Sequence, residues 1–99
     1  MLPSNDFDGG FMYFAEFYQM STGYVAGSIP PRFDDANKKP VPASGDRSVV
    51  ILDGRKHAAT HHQIAAEECK RRGFIGYKLH KGESFTRVTK STGFYPVKA

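Results

Sequence analysis

The sequence predicts an α+β domain: a curved antiparallel β-sheet of five to seven short strands with one α-helix packed on it. Three observations predict it. Only Thr60–Arg72 carries a full set of helix signals. Short runs rich in Val, Ile, Phe and Tyr surround it, separated by Gly-containing turns. Eight Phe and five Tyr, with no Trp, give an aromatic core that suits strands. Most pairings are expected between sequence neighbours, because the turn signals are short and regular.

Residues 1–10 read as a flexible N-terminal arm. Asp6, Asp8, Gly9 and Gly10 have none of the later ligands of a calcium loop. Phe11 to Met20 is a strong strand with apolar side chains on both faces. Such a strand is central, or covered on one face and bound to a partner on the other. Ser21-Thr22-Gly23 turns, and Tyr24 to Ser28 is expected to return as a strand. Residues 29–45 form a long loop with Pro30, Pro31, Pro40 and Pro42. Loops this long in a compact domain are functional or disordered, and prolines lower the entropy cost of ordering one on binding.

Val49–Leu52 and Arg55–Ala59 flank Asp53-Gly54, the strongest hairpin signal in the chain. Thr60 and Gln63 match a capping box for the helix after it. Glu67 with Arg71 and Glu68 with Arg72 are favourable i,i+4 pairs. Lys70, Arg71 and Arg72 complement the dipole in the last turn, and Gly73 suits a left-handed stop. Ala65 and Cys69 centre a narrow apolar stripe, flanked by Ile64 and Ala66. Phe74 to His80 is the next strand, with Ile75, Tyr77 and Leu79 on one face. Ser84–Lys90 and Phe94–Val97 are two more, after turns at 81–83 and 91–93. Ser-Thr-Gly recurs at 21–23 and 91–93, which is reused turn chemistry rather than a repeat.

The chain of 99 residues is read as one domain, with a single Cys and so no internal disulfide. No apolar run approaches membrane-spanning length, and no signal peptide opens the chain, so a cytoplasmic protein with no membrane partner is expected. The net charge of +4 is uneven. Residues 1–50 hold four Lys/Arg against six Asp/Glu, and residues 51–99 hold ten against four. A basic C-terminal half points to an acidic protein surface or a phosphate backbone.

No chemistry-bearing motif stands out. His57, His61, His62, His80 and Cys69 have no second ligand pair at zinc spacing, so no metal or other cofactor is expected. Cys69 falls in mid-helix on the apolar stripe, where a thiol is inert core. No carboxylate pair is set for acid–base work and no glycine-rich phosphate loop precedes a helix, so no catalytic residue is assigned and no enzyme is expected. Lys70, Arg71, Arg72, Lys78, Lys81, Arg87 and Lys90, interleaved with Tyr77, Phe85 and Phe94, would also suit single-stranded nucleic acid.

The unit from Val49 to Leu79 resembles small accessory proteins of bacteriophages, including some anti-CRISPR proteins. In those, a hairpin leads into one Ala-rich amphipathic helix, then Gly and an antiparallel strand. The matching residues are Asp53-Gly54, Thr60, Ala65, Cys69, Gly73, Phe74, Gly76 and Tyr77, within about a third of the chain. Many such inhibitors are acidic mimics of nucleic acid, and this chain is basic. The resemblance implies a non-enzymatic protein that docks on a host or defence protein complex and blocks it. The expected partner-binding residues are Lys70, Arg71 and Arg72 on the helix end, with Arg55, Lys78, Lys81 and Arg87. Arg32, Phe33, Lys38 and Lys39 join them from the Pro-containing loop. A basic module for single-stranded DNA or RNA is the alternative.

Overall fold

A computed structural model of the protein describes residues 11–45 and 48–98. The N-terminal arm expected at 1–10 lies outside the described residues. The architecture is α+β, one helix on a curled antiparallel sheet of six strands. In chain order these are β1 (Met12–Met20), β2 (Pro40–Pro42), β3 (Val49–Leu52), α1 (Ala58–Arg72), β4 (Gly76–Gly82), β5 (Val88–Ser91) and β6 (Tyr95–Pro96). β1 and β4 are the central pair, in register from Met12↔Gly82 to Tyr18↔Gly76. β3 and β2 succeed one another along the free edge of β1, and β5 and β6 do the same along β4.

Strand alternation sorts the two faces. Tyr13, Ala15 and Phe17 of β1, Val50 and Leu52 of β3, and Tyr77 and Leu79 of β4 face α1. The helix answers with His61, Ala65 and Cys69, all buried. Ala15, Ala65 and Cys69 are fully covered, so small side chains line the seam and the backbones approach closely. Phe17 fills the centre and stacks on Phe74 at 5.3 Å. The apolar stripe read from the sequence is the stripe that packs.

The opposite face also carries aromatics. Phe14 meets Phe85 edge-on at 4.8 Å, and Tyr18 meets Phe94 at 5.5 Å. Between them His80 bonds Glu16 through Nε2 at 2.9 Å and Ser91 Oγ through Nδ1 at 2.7 Å. Glu16 therefore ties β1 to β4, and His80 ties β4 to β5. A side chain at Gly76 would strike the Phe94 ring, so Phe94 can lie flat across this face only because position 76 is glycine.

Several local expectations are corrected. Asp53-Gly54 is a turn, but it leads into the helix rather than back into a strand. The Asp53 carboxylate accepts from the Arg55 amide at 2.9 Å, and the Asp53 carbonyl accepts from Lys56 N at 3.0 Å. The expected strand Arg55–Ala59 does not form. Its segment lacks β-branched residues, and the helix takes Ala58 and Ala59 instead. Thr60 is consequently inside the first turn and the capping box is absent: His57 is the N-cap, without a side-chain hydrogen bond. Gln63 turns to Glu67, and Arg71 pairs with Glu68 rather than with Glu67. Gly73 does end the helix, at φ 80°, with its amide directed to the last turn. Strands β5 and β6 are shorter than the sequence suggests, since residues 83–87 remain in the turn after β4.

Capping and packing make distinct demands on two positions of the helix. Thr60→Ala should change stability by no more than about 0.5 kcal/mol, because no cap is lost. Gly73→Ala should cost roughly 1–2 kcal/mol, because an L side chain must adopt the left-handed region there. Paired denaturant melts distinguish the two.

Stability should also depend on alkaline pH. Burial pushes the Cys69 thiol and the Tyr77 phenol above their ordinary values of 9.0 and 10.0. The unfolded chain releases these protons first, so their stability contribution is complete below those values and lost as pH rises through them. Stability should fall above about pH 9, and Cys69→Ala should make that fall shallower relative to its own neutral-pH stability. Melts at several alkaline pH values measure it; an unchanged slope would place the thiol in water.

Candidate partner-binding surface

The most exposed apolar side chains lie beyond the end of β1. The chain leaves Met20, folds out through residues 21–39 and returns as β2. The expected strand Tyr24–Ser28 is reduced to a single bridge, Tyr24↔Phe33. The segment 29–45 is not structureless, since it holds that bridge, a 3-10 turn at Asp35–Asn37 and β2. The prolines explain the division. Ala43 N donates to Phe17 O, so odd-numbered amides here point at β1. Pro40 and Pro42, which lack an N–H, therefore face outward and the edge strand survives. Pro30 and Pro31 allow no ladder at the tip.

The resulting finger is held together from within. Val25 N donates to Arg32 O at 3.0 Å and Asp34 N to Gly23 O at 2.9 Å. Ser28 Oγ donates to Val25 O at 2.8 Å and accepts from Arg32 N at 3.1 Å. At the base, Ser21 N donates to Lys39 O at 2.9 Å and Lys39 N to Ser21 Oγ at 3.0 Å. Asp34 Oδ1 accepts from Ala36 N at 2.9 Å, opening the 3-10 turn. Gly23 has φ 80°, and a Cβ there would lie 2.5 Å from Asp34 O, so glycine is required where the two arms touch. This bracing presents apolar groups to solvent: Ile29 is 95% exposed, Phe33 64% and Tyr24 49%. Single exposed apolar residues are ordinary, but here the Tyr24 and Phe33 rings pair at 5.8 Å and Ile29 is on the same ordered projection.

The charged residues divide between the two ends of the sheet. Ile75 N bonds Tyr18 O, so the C-terminal end of α1 and the finger leave the sheet at the same end. This end carries Lys70, Arg71, Arg32, Phe33, Lys38 and Lys39. At the other end, Tyr13 pairs with both Leu52 and Lys81. Arg55 and Arg87, in the turns after β3 and β4, are therefore about 17 Å away along β1. Lys78 is between, on the face opposite the helix, with its ammonium 5.2 Å from the Tyr18 ring centroid. The eleven residues expected to bind a partner do not share one surface.

Several of these cations serve the fold. Arg72 Nε bonds Glu68 Oε1 at 3.1 Å, its Nη1 bonds Val49 O at 3.3 Å, and its guanidinium lies 5.3 Å from the Phe17 ring. It is a brace between helix and β3. Arg71 pairs with the same Glu68, and the Arg71 hydrogen bond is the main cause that holds the Glu68 carboxyl below the ordinary carboxylate range. Arg55 does likewise to Asp53. Lys38 reaches Asp35 at 3.1 Å and Arg87 reaches Glu83 at 3.6 Å.

Three of the four histidines are also engaged: His61 with Asp53 O, His62 with Tyr77 OH, and His80 as above. Among the described residues no three of His, Cys, Asp and Glu gather as a metal set, and no helix is long and apolar enough to cross a membrane. Sequence reasoning missed Ile29 and Tyr24. The available signal was a lone large aliphatic between Ser28 and a Pro-Pro pair, outside any periodic run.

No family model, curated protein or solved structure matches this chain.

Arg71 and Arg72 should separate in a stability assay. Arg72→Ala is expected to cost about 1–3 kcal/mol, through lost packing on Phe17 and a lost bond to Val49 O. Arg71→Ala should stay within about 0.5 kcal/mol, as exposed ion pairs do. Equal losses in thermal melts would contradict the assignment of Arg72 as the brace.

Proposed function

We propose that this chain is a small non-enzymatic binding protein that docks by its finger on a host or defence protein complex and blocks it. The observation that supports this most is the finger itself: Ile29, Phe33 and Tyr24 are exposed on a loop already ordered by its own hydrogen bonds. A preordered apolar projection binds with little further entropy loss, and aromatic and Arg side chains are the usual anchors of interfaces. Arg32 and Lys39 belong to the finger, and Lys70 and Arg71 stand at the same end of the sheet. These cations suit an acidic rim on the partner and would speed encounter. The blocking role is what the resemblance to phage inhibitors implies, and the cytoplasmic setting is the expectation from the sequence. The second reading is single-stranded nucleic acid, favoured by Tyr24 and Phe33 beside Arg32, Lys38 and Lys39.

Affinity purification from the native host with wild type and with an Ile29→Ser/Phe33→Ala variant tests this. One protein complex should co-purify with wild type and be lost with the variant, whose melting temperature should stay within about a degree because both side chains face solvent. Recovery of the same complex by the variant would reject the finger. Nucleic acid in place of protein, with binding that falls steeply with salt, would select the second reading.

A further inference from the structure

The edges of the sheet are not alike. An open edge strand presents unpaired N–H and C=O groups to any other chain, and prolines, lysines and bulges are the features that close it. β2 carries Pro40 and Pro42, which face outward. β6 has two residues, one of them Pro96. β5 includes Lys90, and its pairing with β4 shifts register at Lys81/Gly82. β3 has none of these. Residues 48–52 read Ser-Val-Val-Ile-Leu, with no charge and no Pro. Phe17 N donates to Ser48 O, so the even-numbered backbone groups of β3 face β1 and those of Val49 and Ile51 point away from it. In keeping with this, Val49 O accepts from Arg72 Nη1 rather than from β1. Among the described residues no strand pairs with this outer edge, and Ile51 is 56% exposed on it.

We propose that β3 pairs antiparallel with β3 of a second copy of this chain, joining the two sheets into one across a two-fold axis at Val50. Val49 of each copy then faces Ile51 of the other, and their amides and carbonyls exchange four hydrogen bonds. Val49 O keeps its bond to Arg72, since a carbonyl oxygen has two lone pairs. Three features fit a second copy to this edge. Two-fold pairing sets each outward donor of the strand against an outward acceptor of the same strand. It places Val49 beside Ile51 twice, a favourable β-branched pair, with no like charges opposite. It also brings Asp53, just past the end of β3, toward the end where Arg72 of the other copy meets Val49, so charges of opposite sign approach. The edge is used up in the pair, so association stops at two. Because β3 is antiparallel to β1, the two fingers leave the joined sheet at opposite ends, and the dimer presents its docking surface twice.

Sedimentation equilibrium of the full chain from about 10 µM to about 1 mM tests this, a range suited to the weak association of a short strand pair. The mass should rise from that of one chain toward twice that value and no further. Ile51→Lys puts a charge on the edge, and because the side chain is exposed, the melting temperature at low concentration should stay within about a degree. Dimerisation should weaken at least about tenfold in this variant and be retained in Ile51→Val. The Ile29→Ser/Phe33→Ala variant should dimerise as wild type does, which separates this edge from the finger. Amide exchange of wild type gives a second reading that needs no variant. The Ile51 amide should exchange freely at low concentration and gain protection as the dimer forms, while Val50, in the ladder with β1, stays protected throughout. The proposal is overturned by a monomer up to about 1 mM, by an unweakened dimer in Ile51→Lys, by loss of the dimer in the finger variant, or by assembly beyond two copies. Ile51 exchange that does not change with concentration would overturn it too.

Discussion

Helix and sheet meet along a seam of small side chains, Ala65 and Cys69 of α1 against Ala15 of β1, with Phe17 beside them. Close approach at this seam sets the height of everything around it. Phe74 stacks on Phe17 from one side, and Arg72 covers the same ring while reaching across to β3. A larger residue at 65 or 69 would lift the helix and break these contacts together, as overpacked cores do. The helix contributes little apolar surface of its own. Its work is to seal the aromatic core that β1 and β4 supply.

β1 is the strand on which the remaining elements are hung. It pairs on both edges and carries packed side chains on both faces. The odd-numbered side chains make the main core, and the even-numbered ones make a thinner layer of Phe14, Tyr18, Phe85 and Phe94 crossed by the Glu16–His80–Ser91 bonds. The finger is an extension of β1 and β2 beyond the sheet. A rigid central strand therefore holds the finger at its base, while the tip contributes nothing to the core.

Much of this fold was legible in the sequence. The run from Phe11 to Met20, apolar on both faces, and the Ala65/Cys69 stripe give the central strand, the helix and the helix face that packs. Asp53-Gly54 misled because the same dipeptide also makes an Asx turn into a helix, and the residues after the turn decide which element it opens. The capping box failed because Ala58 and Ala59 extend the helix past Thr60. The candidate surface was half legible. Composition places Arg72 among the cations of the helix end, but only tertiary structure turns it onto Phe17. Ile29 gave no periodic signal, because it lies in an irregular segment before two prolines and packs against no core.

Docking by the finger requires it to be ordered before any partner arrives. Amide hydrogen exchange of the free protein, resolved by residue, tests this most directly. Val25, Arg32 and Asp34, whose amides donate within the finger, should be protected well above Ala26 and Gly27 at the tip, with protection lost only on local opening of the finger. Exchange of all five at the rate of an unstructured chain would contradict this picture, because the exposed apolar groups would then belong to a flexible loop.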